Sequence, residues 1–298
     1  MRIIIAPAKK MVVDTDSFAV DSLPAFLEQT EQLKAVLKGM SPKELQTLWK
    51  CNDTIAKLNI ERLEHMDLRR NLTPAILSYE GIQYRYMAPG VMETAHLDYL
   101  REHLRILSGF YGLLRPFDGV IPYRLEMQAK LPVDGCRDLY QFWGDRLARQ
   151  LASETDFILN LASKEYSKAV ESHLSQTVQF VTCTFGEWKN GKVIEKGTMC
   201  KMARGQMVRW LAENHVTKRT DVRVFDQLGY HFQAELSTEN HDVFLKQPEI
   251  SSDRSEAIWE NRFCSSWAEA VPRATPLSLW RLLPEGLRQR AIRWRLSP

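Results

Sequence analysis

The twenty residues Ser108 to Met127, SGFYGLLRPFDGVIPYRLEM, carry Arg115, Asp118, Arg124 and Glu126 beside Tyr111 and Tyr123. Arginine offers a planar fork that matches a phosphate. A carboxylate can move a proton when its surroundings shift its pKa, and a tyrosine ring can stack on an exposed base. Gly109, Gly112 and Gly119 with Pro116 and Pro122 make the stretch unsuited to a helix. Glycine admits close approach or positive φ, and proline fixes turns. The expectation is a shaped loop that presents Arg, Asp, Tyr and Glu together.

Three further groups could join it. Lys9 and Lys10 follow an apolar strand, Arg2 to Ala6, at its carboxyl end, where ligands commonly sit in α/β sheets. Asn160 and Ser163 stand where a second apolar strand, Asp156 to Leu161, turns into a helix. Ser163 with Glu165 can cap that helix, and its free N–H groups would suit an anion. Lys201 and Arg204 open a late helix beside Gly205, a small residue that permits close approach. Each group also has an ordinary reading: a solvated lysine pair, a charge-paired loop, a capped helix, an exposed helix face.

Helical spacing covers 24–38, 92–103, 139–152 and 199–214. Ser41-Pro42-Lys43-Glu44 reads as a capping box and Asn52-Asp53 as a fresh N-cap, so 41–66 is expected to hold two short helices joined by a tight turn. Thr73 to Tyr79 is expected to be another capped helix. Strands are expected at 104–107, 178–188, 230–236 and 242–246, with a hairpin at Asn190-Gly191. Helices mixed with both a hairpin and strand–helix–strand crossovers argue an α+β fold.

The helix pair 41–66 is similar to a helix-hairpin-helix, which grips one DNA strand through backbone N–H groups and phosphate-facing lysines. Lys50, Asn52 and Lys57 would make those contacts. Its hairpin, Lys50-Cys51-Asn52-Asp53, lacks the two glycines usual there, and Asp53 would repel a phosphate.

Composition narrows the class. The 298 residues are 44% hydrophobic and 26% charged with a net charge of +3, as expected of a soluble protein that tolerates a polyanionic partner. Five scattered cysteines without a C-x-x-C pair argue against a disulfide framework or thiolate zinc site and fit a reducing cytosol. The apolar start, MRIIIAPAKK, is too short for a signal-peptide core, and no segment is long enough to span a membrane. Glu93-x-x-His96 has di-iron spacing, but a ferritin-like site needs two copies. The phosphate-loop, dinucleotide and serine-elbow motifs do not occur. The expectation is therefore no metal and no cofactor. After Lys246 lysine disappears while Trp and Arg accumulate, so 249–298 reads as an appendage to a body spanning 1–248, with an amphipathic helix near 284–295.

The segments IIIAPAKK (3–10), LWKCNDTIAKLN (48–59), PAILSYEG (74–81), RILSGFYGLLRPFDGVIPYRLEM (105–127), ILNLASKEYSKAV (158–170) and KMARGQMVRWLAEN (201–214) occur in an order that resembles the YaaA family of bacterial peroxide-stress proteins. The resemblance runs from residue 1 to about 246. It implies a cytoplasmic protein that protects cells during hydrogen-peroxide stress by limiting unincorporated iron and oxidative DNA damage. It also implies a rounded α+β body with a positively charged cleft and a helix-hairpin-helix element that binds DNA.

Two functions are then expected. In the first, Lys9, Lys10, Arg115, Arg124, Lys201 and Arg204 meet DNA phosphates, with Asn160 and Ser163 nearby, while Tyr111 and Tyr123 stack on unpaired bases. In the second, the chain is an enzyme acting on a nucleobase, nucleotide or damaged base, with Asp118 or Glu126 as acid–base group.

Overall fold

In the computed structural model of the chain, residues 1–247 are described. The extension 249–298 and its expected helix lie outside the described residues.

One mixed sheet of eight strands organises the body. Its spatial order is Tyr230–Phe232, His241–Lys246, Gln179–Lys189, Phe157–Asn160, Arg2–Ile5, Leu104–Ser108 and Gly112–Leu114, with Lys192–Ile194 paired to Gln179–Lys189 off that path. The middle is parallel: Ile3 lies opposite Leu104 on one side and Leu159 on the other. Both ends are antiparallel. Parallel strands covered on both faces are mostly apolar. Ile3, Ile4 and Ile5 are wholly buried; Leu104–Ser108 is buried too, with Arg105 paired to Glu154 at 2.6 Å and the Ser108 hydroxyl bonded to Tyr123. This is the α+β architecture with a mixed sheet that the sequence pattern implied.

Several local signals act as their chemistry dictates. Ser41 and Glu44 form a reciprocal capping box on helix Pro42–Trp49, with Pro42 at its first turn. Asn52 accepts the Ile55 N–H at 3.0 Å and starts helix Asp53–Glu64. Asn190 and Gly191 take φ of 51° and 76°, the conformation a tight two-residue hairpin needs. Cys51 and Cys136 are half-buried free thiols, and Cys183 and Cys200 are buried.

Other signals yield to tertiary pairing. Thr73 to Tyr79 is not one capped helix. Thr73–Pro74 pairs with Gly119–Val120, Ala75–Ser78 makes a single turn, and Tyr79–Glu80 pairs with Lys10–Met11. The Thr73 hydroxyl accepts the Asp14 N–H at 2.9 Å, a partner 59 residues away, instead of capping a local helix. The helix expected over 139–152 breaks at Gly144 into Leu139–Trp143 and Arg146–Glu154. Among the described residues, no helix is long and apolar enough to cross a membrane.

Candidate functional site

The strands Arg2–Ile5 and Phe157–Asn160 run parallel and end side by side. At their carboxyl ends lies a cleft of about 430 Å³. The loop Ala6–Lys10, the turn Ser163–Tyr166, the helix Ile82–Met87, the segment Tyr123–Glu126 and the helix Gly197–Glu213 enclose it. Carboxyl ends of adjacent parallel strands are the usual position for a ligand site in such sheets.

Lys9, Lys10, Arg85, Arg124, Lys201 and Arg204 face this cleft against three carboxylates, Glu80, Glu126 and Glu165. Lys9 Nζ sits 2.8 Å from Glu126 Oε1, and Lys10 Nζ 2.7 Å from Glu80 Oε2. Arg124 Nη2 is 4.0 Å from Glu126 and donates to the Trp49 carbonyl at 3.4 Å. Arg204 Nη2 lies 3.6 Å from Glu195.

The pairing is incomplete. Among the described residues, four buried side-chain nitrogens or oxygens have no hydrogen-bond partner, and three of them belong to cleft residues: Gln83 Nε2, Arg124 Nε and Arg204 Nε. A buried donor left unsatisfied costs about 1–3 kcal/mol. Three such nitrogens on residues of one cleft make it a strained, polar region of the body.

Two of the carboxylates meet at Gln128. Its backbone N–H donates to Glu165 Oε1 at 3.3 Å, and its side-chain amide donates to Glu126 Oε2 at 3.4 Å. Burial pushes the Glu165 carboxyl above its ordinary range, and the neighbouring Glu126 charge adds to that rise. The tyrosines of the cleft are held from behind. Tyr123 Oη shares hydrogen bonds with Ser108 Oγ at 2.6 Å and Tyr79 Oη at 2.9 Å, and burial raises its pKa to about 12. Tyr84 Oη donates to the Ala6 carbonyl at 3.0 Å.

The stretch Ser108 to Met127 does not act as one loop. Gly112–Leu114 pairs antiparallel with Leu104–Ser108, placing Leu114 opposite Ile106, so the chain returns toward the amino ends of the parallel strands. Arg115 and Asp118 therefore emerge there, beside Ser22, Arg105, Gln150 and Glu154, around a separate cavity of about 190 Å³. Gly119–Val120 then pairs with Thr73–Pro74, and Arg124 and Glu126 lie on the cleft. The expectation that Arg115 and Asp118 share a site with Arg124 and Glu126 is corrected by this reversal.

Asp118 is only 1% exposed and ties its own turn together. It accepts from Ser22 Oγ at 2.6 Å and from the Arg115 N–H at 2.8 Å. Tyr111, expected to stack on a base, is wholly buried, and its hydroxyl accepts the Ile121 N–H at 3.2 Å. No base can reach a ring so enclosed. Asn160 is likewise buried, accepting from the Ala162 N–H at 2.9 Å and donating to Thr182 Oγ1 at 3.1 Å. Ser163 lines the cleft but makes no side-chain cap.

The helix pair is a neighbouring surface. Lys50 borders a groove of about 840 Å³ between helix Pro42–Trp49 and Glu126–Lys130, and Lys57 borders a hollow between the two helices. Asn52 is occupied as the N-cap, and Asp53 accepts from Gln46 Nε2 at 2.6 Å. Glu126 borders both the groove and the cleft.

Gln83 and Arg85 are cleft residues that sequence reasoning missed. The signal was Gly205: a Cβ there would lie 2.1 Å from the Gln83 carbonyl oxygen, so only glycine lets the helices Ile82–Met87 and Gly197–Glu213 touch. That contact sets Gln83 beside Arg204. Among the described residues, no group of three or more His, Cys, Asp or Glu side chains is placed to hold a metal ion.

Comparison with known proteins adds to this geometry. A family model described as "Peroxide stress protein YaaA" matches residues 1–236. A UPF0246 protein of Lachnoclostridium phytofermentans is 54% identical over 254 residues, covering 85% of this chain and 100% of the relative. UPF0246 proteins of Pediococcus pentosaceus and Agathobacter rectalis are 52% and 49% identical, each covering 83% of this chain and 98% and 99% of the relative.

Proposed function

This chain belongs to the YaaA family of peroxide stress proteins, and we propose that it acts in that response by binding DNA in the basic cleft, in the cytoplasm, so limiting iron-linked oxidative damage. The observation that carries the reading is the gathering of Lys9, Lys10, Arg85, Arg124, Lys201 and Arg204 at the carboxyl ends of two parallel strands, with Arg124 Nε and Arg204 Nε buried and unpartnered. Phosphate oxygens are acceptors only, so they answer the excess of cationic side chains. The helix pair would supply a second, non-specific contact to the backbone through Lys50 and Lys57, with Asn52 engaged as the N-cap between them. Arg115 stands on the far cavity and has no part in this contact.

The test is binding of the purified chain to paired duplex, bubbled duplex and single-stranded DNA across a range of salt. Binding that weakens steeply with salt supports the reading; absent binding overturns it.

A second reading, an enzyme acting on a nucleobase or nucleotide, is favoured by one observation. Glu126 and Glu165 stand together on the cleft and Glu165 is pushed toward its protonated form. A carboxyl whose surroundings raise its pKa, standing beside a second carboxyl, is common equipment for acid–base chemistry. Under this reading Glu126→Gln abolishes turnover and spares DNA affinity; under simple binding there is no turnover to lose.

A further inference from the structure

The cleft offers a ligand two different sets of partners. Where helix Ile82–Met87 meets helix Gly197–Glu213, Gln83, Lys201 and Arg204 present nitrogen donors, and Gln83 Nε2 and Arg204 Nε are buried without partners. Such a set suits the oxygens of an anion. Around Gln128 the partners are mixed: Glu126 and Glu165 bring carboxyls, and Arg124 brings an unpartnered Nε. Carboxylates repel a phosphate. They suit the N–H groups on a base edge, while arginine suits its nitrogen and oxygen acceptors.

Size decides between a duplex and something smaller. A cavity of about 430 Å³ falls within the roughly 300–1,000 Å³ range of small-molecule sites. We infer that the cleft takes one nucleotide turned out of its strand or lying at a strand end, its phosphate at Gln83, Lys201 and Arg204 and its base edge at Arg124, Glu126 and Glu165. The inference rests on the reading that the cleft binds DNA.

Burial raises the Glu165 pKa, which favours the form able to donate as well as accept at a base edge. Tyr84, Tyr123 and Tyr166 border the same cleft but are buried, and the Tyr123 ring stacks on Phe110, so it is not the base-stacking platform expected from the sequence. An already unpaired nucleotide costs least to turn out, so bulged DNA should bind better than paired duplex.

The experiment titrates the full chain by calorimetry with the four 2′-deoxynucleoside 5′-monophosphates and with inorganic phosphate, then uses each mononucleotide to displace a duplex carrying a one-nucleotide bulge. At least one mononucleotide should bind about tenfold or more tighter than inorganic phosphate, and it should displace the bulged duplex. Glu126→Gln should reorder the four bases, while inorganic phosphate binds as tightly as before or tighter. Arg204→Gln should weaken all four and phosphate alike. Lys201→Ala, at an exposed position, provides the same comparison should the Arg204 variant melt early. Mononucleotides no tighter than phosphate, or unable to displace the bulged duplex, overturn the inference. If DNA still binds in that case, the DNA reading stands without it; if no DNA binds, that reading falls as well.

Discussion

Lys9 Nζ and Glu126 Oε1 lie 2.8 Å apart on the cleft, joining the loop after the first strand to the end of the stretch Ser108–Met127. The pair leaves Lys9 half-neutralised toward any incoming phosphate. Replacing Glu126 with Gln removes a negative charge from the cleft and frees Lys9. DNA affinity, read by fluorescence anisotropy at low salt, should hold or tighten. A several-fold loss would show that Glu126 supports the DNA-binding surface in some other way.

Glu165 carries the pH dependence of the site. Its folded-state pKa is raised, chiefly by burial and then by Glu126. The folded protein therefore holds the proton above the pH at which the unfolded chain releases it. Stability linked to this group is full below the unfolded value of about 4.3 and declines as pH rises through the folded value. Glu165→Gln stays neutral throughout, so its melting temperature should gain on the parent chain from pH 4 to pH 8. Parallel melting curves across that range would contradict this assignment.

Asp118 holds structure at the end of the strands opposite the cleft. Asp118→Ala leaves Ser22 Oγ and the Arg115 N–H without their acceptor, which should cost about 1–3 kcal/mol in denaturant unfolding. DNA affinity of the folded variant should match that of the parent. A selective loss of affinity at unchanged stability would return Asp118 to the functional site.

Gly205 tests the scaffold that sets Gln83 beside Arg204. Gly205→Ala puts a methyl group 2.1 Å from a backbone oxygen that cannot swing aside. The helices must separate, at a cost of about 1–3 kcal/mol by analogy with overpacked cores. Thermal melting should fall, and DNA binding should weaken beyond what the lost stability explains.

What could be read from the sequence divides by the range of the interaction. Ser41–Glu44, Asn52 and Asn190-Gly191 satisfy backbone groups within three or four residues, so their types alone announce their roles. Lys9, Arg124, Glu126, Ser163, Lys201 and Arg204 do meet on one cleft: Lys9 and Ser163 follow strands that end there, Arg124 and Glu126 lie on a segment that crosses it, and Lys201 and Arg204 stand on one helix beside it. Arg115, Asp118 and Tyr111 were misplaced because the antiparallel return of Gly112–Leu114 is decided by pairing with Leu104–Ser108, and composition carries no record of that reversal. Gln83 went unnoticed for a similar reason. Its neighbour Arg204 is 121 residues away, and only the glycine at 205 hints at the contact.

The central claim is that the cleft grips DNA through its cationic side chains. Its most direct measurement is the dissociation constant for a bubbled duplex across rising salt, for the parent chain and for Lys201→Ala. The expected result is a linear fall of log affinity with log salt, with a slope shallower by about one in the variant. A parent chain that does not bind, or a variant whose slope and affinity match the parent's, would contradict it.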